Sequence, residues 1–376
     1  MRRYFGPITT RVLRRRWSYP SPPRRSVTSA PTRARDLLGL VAFFPQGIDE
    51  NNLEWLFPAI SNRSFIFDKF CVLSLTHRSN GFITMLALIR GYLCPPDPRS
   101  SPLLRSTKDR YFARLSVNIY PGRPGFEEGK WIVTEDVNVE HLLDFFASVD
   151  TESGDVWKAC VSFLRHLYWH THRYTMLGPK IEGLPDDHRF KSKCLIQLSQ
   201  LSQSIGNFVE QKRLLTQSLK LERGRERDFE VARILRRLSI SNMDLQLYRE
   251  GIQQAREAVG VYERLGNTVE QANCWIDLAR LLEADNQLDA AEVAGSRAIN
   301  LLPKKGKEFL VCQSHRALGN IYCSKNEREK AIHHFEMALD IASLFKWQSE
   351  LCWINHSLGR LFLDQGKFDD ATTHIE

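Results

Sequence analysis

The segment PGFEEGKW, residues 124–131, carries the residue types with which proteins hold nucleotide phosphates: glycines followed by a lysine. A phosphate-binding loop has four residues between its glycines and a Ser or Thr after the lysine, to hold magnesium. Here three residues separate Gly125 from Gly129, and Trp131 follows Lys130. The two glutamates of the segment would also repel a phosphate. We therefore expect an ordinary loop, and no other segment fits the pattern G-x-x-x-x-G-K-S/T.

The segment HLYWHTH is the densest group of residue types that bind metals. His166 and His170 are four residues apart, so they would lie on one face of a helix and could bind zinc. A zinc protease also needs a Glu directly after the first histidine, but Leu167 occupies that position. The segment therefore predicts a helix face that runs into a polar end, with no metal centre.

The eight cysteines are scattered and form no C-x-x-C pair. Cys312 and Cys323 lie with His315 in or near one predicted helix, where buried packing is favoured because free cysteine behaves as a small hydrophobic residue. Scattered cysteines without a secretory signal favour a reducing compartment and a cytoplasmic location. Because no G-x-S-x-G elbow occurs either, we predict no catalytic residue, metal or cofactor, and we do not expect an enzyme.

The net charge of +8 is unevenly distributed along the 376 residues. Residues 1–35 hold ten of the 52 basic residues and no Asp or Glu, which leaves 42 basic against 44 acidic residues, or −2, for the rest. The folded part is therefore not expected to bind nucleic acid. The Arg-, Ser- and Pro-rich tail is expected to be disordered; a mitochondrial transit peptide or an incorrectly assigned start are the alternatives. No apolar run is long enough to span a bilayer.

Residues of the same character recur every 40 positions in the second half of the chain. The reference positions are Phe208, Tyr248, Leu288, Arg328 and Phe368. Ten residues before each of them stands a leucine: Leu198, Leu238, Leu278, Leu318 and Leu358. Ten residues after the first four stands a small residue: Ser218, Ala258, Ala298 and Ala338. The period predicts stacked helical hairpins, in which the leucine faces inward and the small residue allows two helices to approach closely.

Turn-forming residues separate the predicted helices. They are Gly206-Asn207, Asp285-Asn286, Lys325-Asn326 and Gln365-Gly366 within hairpins, and Gly266-Asn267 and Pro303 with Gly306 between hairpins. Since the sequence stops at Glu376, inside the second helix of the fifth hairpin, we expect the array to continue in the intact protein; a frayed terminus is the alternative.

This pattern resembles the tetratricopeptide repeat. The family's sequence of large and small residues is matched in the fourth hairpin by Leu318, Gly319, Tyr322, Ala331, Phe335 and Ala338. The resemblance covers about residues 190–376, although the family's usual period is shorter than 40. It implies a mainly α fold, a right-handed α-solenoid of helical hairpins, that binds a protein or peptide. A generic helical bundle is the alternative.

In such repeats the first helix of each hairpin lines a concave groove. By this resemblance the groove positions are Lys193, Arg233, Arg236, Asn273, Arg280, Arg316, Asn320, His356 and Arg360. These residues are mostly basic, so they would suit an acidic peptide or helix, because arginine pairs bidentately with carboxylates. The alternative interpretation is a solvated face with ordinary helix charges.

The front part of the chain does not follow the 40-residue period. We predict helices at 35–44, 50–57 with Asp49 as the cap, 63–69 and 86–93, a strand at 71–75, a turn at 79–81 and a returning strand at 82–85. Helices followed by a hairpin are typical of a winged helix. In the connector that follows, 140–148 and 157–169 are predicted helices that dock onto the first repeat.

Residues 36–93 resemble the winged-helix segment that follows the nucleotide-binding domain in NACHT and NB-ARC receptors. Met85 and Leu88-Ile89-Arg90 match that family's signature, but Leu86 and Ala87 replace its His and Asp. In the family the His reaches the nucleotide, so its absence argues against a nucleotide contact here. With the repeats behind it, the segment is similar to fungal NOD-like proteins.

The sequence therefore predicts four parts: a tail at 1–35, a winged-helix-like domain at 36–93, a linker with adapter helices at 94–187 and the repeat array at 188–376. The favoured function is a protein-interaction module, the sensor or scaffold half of a NOD-like signalling protein. One alternative is part of a nucleotide-hydrolysing receptor whose catalytic domain lies outside this sequence. Another is a DNA-binding regulator, although the predicted helix at 63–69 offers only two basic residues for that role.

Overall fold

The computed structural model describes residues 30–93, 101–117, 125–303 and 305–375. The chain divides into two compact units, Met1–Arg110 and Tyr111–Glu376. Residues 1–29, most of the predicted tail, lie outside the described residues, as does the proline-rich start of the predicted linker. The limits of the four predicted parts stay predictions.

The first unit combines short helices with a small sheet. Its elements are α1 (Ala30–Phe43), β1 (Ile48–Asp49), a 3₁₀ turn (Glu50–Asn52), α2 (Leu53–Leu56), α3 (Arg63–Val72), β2 (His77–Ser79), β3 (Phe82–Thr84) and α4 (Ala87–Leu93). The sheet is antiparallel in the order β1-β3-β2. As predicted, Asp49 caps the turn that follows it, since its side chain accepts a hydrogen bond from the backbone N–H of Asn51 over 2.8 Å.

Two predictions for this unit are wrong in detail. Residues 71–75 do not form a strand, because α3 continues to Val72 and the chain then turns through Ser74, whose φ is 57°. The helix is extended because Phe67 and Phe70 are both fully buried on its inner face, so the apolar run belongs to a helix period. The first helix also begins at Ala30, inside the predicted tail. The winged-helix resemblance itself stays a prediction.

The chain then forms α5 (Pro102–Leu115), and the second unit begins with a group of helices before the repeats. They are α6 (Gly125–Glu128), a 3₁₀ turn (Gly129–Trp131), α7 (Ile132–Val149), α8 (Gly154–His166), a π-helical turn (Leu167–Thr171) and α9 (Gly178–Glu182). The predicted helices at 140–148 and 157–169 fall within these elements. α8 packs against the first repeat helix, which was also predicted.

The segment 124–131 is helical from Gly125 onward, which corrects the prediction of a loop. Its conformation follows from local packing. Trp131 lies 6.0 Å from the ring of Tyr111, and the guanidinium of Arg114 lies over the indole at 4.6 Å. The two glutamates occupy the first turn of α6, where the helix dipole stabilises negative charge.

The repeat array follows as ten helices. The first helices of the hairpins are α10 (Lys191–Ser204), α12 (Asp228–Asp244), α14 (Thr268–Ala284), α16 (Glu308–Ser324) and α18 (Gln348–Leu363). The second helices are α11 (Phe208–Gly224), α13 (Tyr248–Arg264), α15 (Leu288–Leu301), α17 (Arg328–Phe345) and α19 (Phe368–Ile375). Each helix packs against the next along the chain, and successive first helices from α12 to α18 also contact one another. Contacts of this kind between successive first helices are expected on the inner side of a curved array of stacked hairpins.

The packing predicted from the 40-residue period is confirmed. The leucine of each first helix is buried, and the small residues of the second helices, Ser218, Ala258, Ala298 and Ala338, are completely buried. Gly319 shows how close the helices come, since a Cβ atom added there would lie 2.6 Å from the ring of Phe335.

The turns of the array follow a stricter rule than the sequence suggests. A residue with positive φ recurs every 20 residues, at Gly206, Glu226, Gln246, Gly266, Asn286, Gly306, Asn326, Lys346 and Gly366. All of them except Gly306 closely follow the end of a helix, whereas Gly306 lies in the longer connection after Leu301. Eight of these turns share one further hydrogen bond, from the N–H of the next residue to the carbonyl five residues earlier, as from Asn207 to Ser202 over 2.8 Å. Apart from the connection at Gly306, the turns inside hairpins and between hairpins are therefore built alike.

Candidate functional site

The nine predicted groove residues all lie on first helices. α10 carries Lys193, α12 carries Arg233 and Arg236, α14 carries Asn273 and Arg280, α16 carries Arg316 and Asn320, and α18 carries His356 and Arg360. We call the side of the array formed by these helices the first-helix face. The structure brings the three arginines at its centre, Arg236, Arg280 and Arg316, into one electrostatic group.

Arg236 is bound to the neighbouring first helix. Its Nε donates to Oδ2 of Asp277 on α14 over 2.7 Å, and the Asp277 side chain is only 7% exposed. Burial alone would lower the pKa of Arg236, but the adjacent carboxylate of Asp277 raises that pKa above its ordinary value. The guanidinium of Arg236 therefore stays charged, and its hydrogen bond to Asp277 fixes its position.

Arg316 is held in the same way on the next pair of first helices. Its Nε donates to Oε2 of Glu350 on α18 over 2.9 Å, while the side-chain amide of Gln313 donates to Oε1 of the same carboxylate over 3.2 Å. Glu350 is buried, and both of its carboxylate oxygens accept hydrogen bonds from side chains of α16. The guanidinium of Arg316 is thereby oriented by a partner on the next helix.

Arg280 lies between these two ion pairs and differs from them. Its closest charged group is Asp277, with Nη1 3.9 Å from Oδ1, and it makes no hydrogen bond to any residue that the structure describes. Its Nη2 atom is buried without a partner, although 25% of the side chain is exposed. Burial lowers the pKa of Arg280; Asp277 opposes this effect, and the nearby Arg316 reinforces it.

The N-terminal members of the predicted set have local partners. Arg233 forms an ion pair with Glu230 of its own helix at 2.5 Å, and the amide of Asn273 donates to Glu270 over 3.3 Å. The ammonium group of Lys193 lies 6.0 Å from the centre of the Phe190 ring. These side chains line the face but do not join the central group.

The C-terminal members are more open. Asn320 accepts a hydrogen bond from the hydroxyl of Ser357 over 3.4 Å, which links α16 to α18. His356 and Arg360 are exposed on α18. The structure therefore separates the nine residues into a central group of three arginines and two flanks.

Sequence reasoning missed the acidic residues of the face. Asp277 and Glu350 neutralise two of the predicted cations, so the face is less basic than its arginine count suggests. The signal was present for Asp277, because it lies four residues after Asn273 and three before Arg280, on the same side of α14. For Glu350 the signal was weaker, since its partner Arg316 is 34 residues away and not 40.

The other chemical candidates from the sequence prove to be parts of the packing. His166 is completely buried, and its ring lies 6.0 Å from Trp131 and 5.9 Å from His170. Burial lowers the pKa of His166 to about 4, so the ring is neutral at pH 7. Cys312 is buried, and its thiol lies 3.4 Å from the carbonyl of Ala338, which confirms the packing interpretation.

His315 has a partner that the sequence did not indicate. Its Nδ1 lies 2.9 Å from Nδ1 of His334 on α17, a hydrogen bond that needs a proton on only one of the two nitrogens. Burial, followed by the charges of His334 and His333, lowers the pKa of His315 to about 4. Within the described part of the chain, no three His, Cys, Asp or Glu side chains are grouped so that they could hold a metal ion.

A helix can span a membrane only if it is both long and apolar. Among the residues that the structure describes, no helix combines the length and the apolar character that a membrane span requires.

Comparison with known proteins identifies the repeat. Residues 314–345, in α16 and α17, match the family model of the tetratricopeptide repeat. The Tonsoku-like protein of Bos taurus is 24% identical over 205 residues, which are 52% of this chain and 14% of that protein. The chain thus spans only a small part of that relative's length.

Solved structures of low sequence identity are also similar. A STAND protein with a tetratricopeptide repeat sensor from Pyrococcus horikoshii is 13% identical, with a TM-score of 0.49, and the match covers 94% of this chain and 52% of that one. BtubC from P. vanneervenii is 18% identical, with a TM-score of 0.41 and coverages of 64% and 92%. The match and the architecture together show a tetratricopeptide repeat at 314–345 within an array of similar helical hairpins.

Proposed function

We propose that the chain is a protein-interaction module whose repeat array binds a protein or peptide partner along its first-helix face. The observation that carries this proposal is the arrangement of charged side chains there. Arg236 and Arg316 are held in place by carboxylates of neighbouring helices, and Arg280 between them lacks a hydrogen-bond partner among the described residues. A face ordered in this way loses little side-chain entropy when a partner binds.

In this proposal the partner is acidic on the side that meets Arg280, and the chain acts as a scaffold or sensor without catalysing a reaction. A role as the sensor half of a NOD-like signalling protein rests on the winged-helix resemblance at 36–93. A cytoplasmic location, which the scattered cysteines favour, belongs to the same proposal.

Nucleic-acid binding by the first unit is a weaker candidate. Arg78 on β2, a cation that could contact phosphate, is bound to Glu50 and to Asp68 of α3, the latter at 2.6 Å. α3 presents Phe65 and Val72 to solvent beside that aspartate. Acidic and apolar side chains at this place disfavour a phosphate backbone.

The proposal is tested by selecting phage-displayed random peptides on the full-length chain and measuring the affinity of the selected peptides by fluorescence anisotropy. The groove variant combines Arg233→Glu, Arg236→Glu and Arg280→Glu. The matched control combines Arg249→Glu, Arg256→Glu and Arg328→Glu, which change the charge equally on second helices.

We expect the groove variant to lose binding and the control to retain it, with circular dichroism showing that both variants are folded. If no peptide is selected, or if the folded groove variant binds the selected peptides as tightly as the wild type does, the first-helix face is not a partner site.

A further inference from the structure

We propose that the edge of the array between the fourth and fifth hairpins binds the surface of an anionic membrane. Two connections meet at this edge: residues 302–307 lead into α16, and residues 346–347 join α17 to α18. We call the exposed side chains of these connections and of the adjoining helix ends the Trp347 edge. The inference does not depend on the proposed function, because it concerns other residues than the predicted groove.

The apolar part of the Trp347 edge is one continuous group. The ring of Trp347 stacks on that of Phe345, with centroids 4.9 Å apart and planes 11° apart. Phe309, at the start of α16, meets the same indole at 5.0 Å, so the two connections lie side by side. Phe309 is 42% exposed, Phe345 44% and Leu344 77%. Apolar side chains grouped in this way and left in water indicate a surface that another apolar body covers.

The same two connections are basic. Residues 302–309 read LPKKGKEF and residues 343–349 read SLFKWQS, so four lysines stand against one acidic residue, and the net charge is +3. The next residue, Glu350, is buried and paired with Arg316, whereas Asp340 on α17 is exposed and lowers the local charge to +2. Positive charge beside exposed apolar side chains fits a surface that is anionic outside and apolar below.

The lysines are available to such a surface. Lys305, Lys307 and Lys346 are exposed, and none of them has an ion-pair partner among the residues that the structure describes. Glu308 does not pair with them, since it accepts a hydrogen bond from the backbone N–H of Gly306 over 2.7 Å. Lysine side chains are long enough to reach lipid headgroups while neighbouring apolar side chains enter the bilayer surface. Each lysine close to an anionic bilayer strengthens binding roughly fivefold.

A membrane fits these side chains better than a protein or a nucleic acid does. Lysine is depleted in protein interfaces, and two copies of the chain that met here would bring like charges together. Bases stack on free ring faces, but Phe345 and Trp347 each cover one face of the other. Leu344, the most exposed of the apolar side chains, is aliphatic and offers no ring to a base.

The first measurement is co-sedimentation of the full-length chain with vesicles of phosphatidylcholine alone or of equal parts phosphatidylcholine and phosphatidylserine. We expect binding to the mixed vesicles that weakens as salt is added, and much weaker binding to the neutral vesicles. Binding to neither kind, or equal binding to both, would overturn the proposal. The arginine-rich segment 1–35 could also bind anionic lipid, so variants of the Trp347 edge must locate the contact.

The lysines are tested by the triple variant Lys305→Gln/Lys307→Gln/Lys346→Gln. We expect it to weaken binding to the mixed vesicles about tenfold or more, because three headgroup contacts are lost. The control removes the same charge from exposed lysines of α8, α11 and α17 and should change binding less than about threefold, since those charges lie elsewhere and are screened. It combines Lys158→Gln, Lys220→Gln and Lys330→Gln.

The apolar side chains are tested by Leu344→Ser/Phe345→Ser. We expect about tenfold weaker binding to the mixed vesicles, because two side chains no longer leave water. The control Val209→Ser/Val293→Ser replaces exposed apolar residues of α11 and α15 and should bind as the wild type does. If circular dichroism shows folded variants and both edge variants bind as tightly as the wild type, the contact lies elsewhere and the proposal is wrong.

Tryptophan fluorescence with brominated phosphatidylcholine in the mixed vesicles gives a readout that does not depend on affinity. Bromine quenches an indole that enters the bilayer surface. We expect Trp347→Phe to lose part of the quenching while it still sediments with vesicles, and Trp353→Phe, which removes an exposed indole of α18, to lose none. Equal quenching of the wild type and of Trp347→Phe would show that Trp347 does not meet lipid.

The rival partners have their own measurements. Anisotropy of labelled single-stranded oligonucleotides reports nucleic-acid binding, and sedimentation velocity of the chain alone reports self-association. We expect neither to change in Leu344→Ser/Phe345→Ser. Oligonucleotide binding or a dimer that this variant abolishes, in a chain that does not bind vesicles, would assign the Trp347 edge to that partner and overturn the membrane proposal.

Discussion

The guanidinium of Arg236 donates to the carboxylate of Asp277 over 2.7 Å and so joins two first helices, α12 and α14, across the face that we assign to partner binding. The same carboxylate lies 3.9 Å from Arg280. Asp277 therefore fixes Arg236 by a hydrogen bond, whereas it acts on Arg280 only through its charge. This difference leaves the guanidinium of Arg280 available to the acidic partner of the proposed function.

Breaking this pair should destabilise the array. We expect Asp277→Ala to lower the free energy of unfolding by about 1.5–3 kcal/mol, the usual contribution of a hydrogen bond between charged groups, because it leaves Arg236 half-buried without its partner. The double variant Arg236→Met/Asp277→Leu should recover most of that loss, since it removes both charges. Urea unfolding of Arg236→Met, of Asp277→Leu and of the double variant gives the coupling energy, and additive losses would show that the pair does not act as a unit.

The close approach of α16 and α17 predicts that Gly319 cannot be replaced by a larger residue without a loss of stability. Gly319→Ala should destabilise the protein by about 1–3 kcal/mol, because its Cβ would lie 2.6 Å from Phe335 in a packed core. Gly260→Ala is the matched control, since Gly260 lies inside α13 with nothing within 4 Å of the added atom. That change should stabilise the helix by about 0.5–1 kcal/mol. Equal effects of the two substitutions in thermal melts would contradict the packing described for Gly319.

The turns with positive φ offer a second matched pair. Gln246 has a φ of 59° and Gly206 a φ of 77°, and both end a first helix. We expect Gln246→Gly to raise stability by up to about 1 kcal/mol, because glycine adopts this conformation without a steric penalty. Gly206→Ala should lower stability by about as much, for backbone reasons alone, since nothing lies within 4 Å of the added Cβ. Melting temperatures that move in the same direction for both variants would count against the shared turn geometry.

The histidine pair predicts a dependence of stability on pH. The pKa of His315 is lowered to about 4 in the folded protein by burial first and by His334 and His333 second, while an unfolded histidine titrates near 6.5. The unfolded chain therefore binds more protons between these values, so stability should fall as the pH drops from about 6.5 toward 4. His315→Gln should flatten this dependence in urea titrations at pH 7 and pH 5, whereas the exposed His356→Gln should not. An unchanged slope in His315→Gln would show that other groups dominate.

The sequence predicted the array well because its signal is periodic. A leucine and a small residue at fixed places in each 40-residue unit specify which faces of the helices are buried, and burial drives the packing. The turns were predicted only where glycine or asparagine marks them. Glu226, Gln246 and Lys346 adopt the same left-handed conformation because the helices on both sides fix the geometry, and residue type alone gave no signal there.

The candidate site was predictable in part for a related reason. The first-helix positions follow from the repeat, so the arginines could be placed on one face. Their pairing could not be read from the period, because Arg236 reaches a residue 41 positions away and Arg316 one 34 positions away. Such offsets depend on how neighbouring helices are rotated against each other. The mistaken strand at 71–75 has a similar origin, since a short apolar run fits a buried helix as well as a strand.

The most direct test of the central claim is site-specific photo-crosslinking of a selected peptide to the full-length chain. A benzophenone side chain is introduced in place of Asn273 on the first-helix face, or in place of the exposed Val293 on a second helix as the control. Crosslinked peptide at position 273 and none at position 293, measured by mass spectrometry, is the predicted result. Crosslinking at position 293 alone, by a peptide that still binds both variants, would place the partner on the opposite side of the array and contradict the claim.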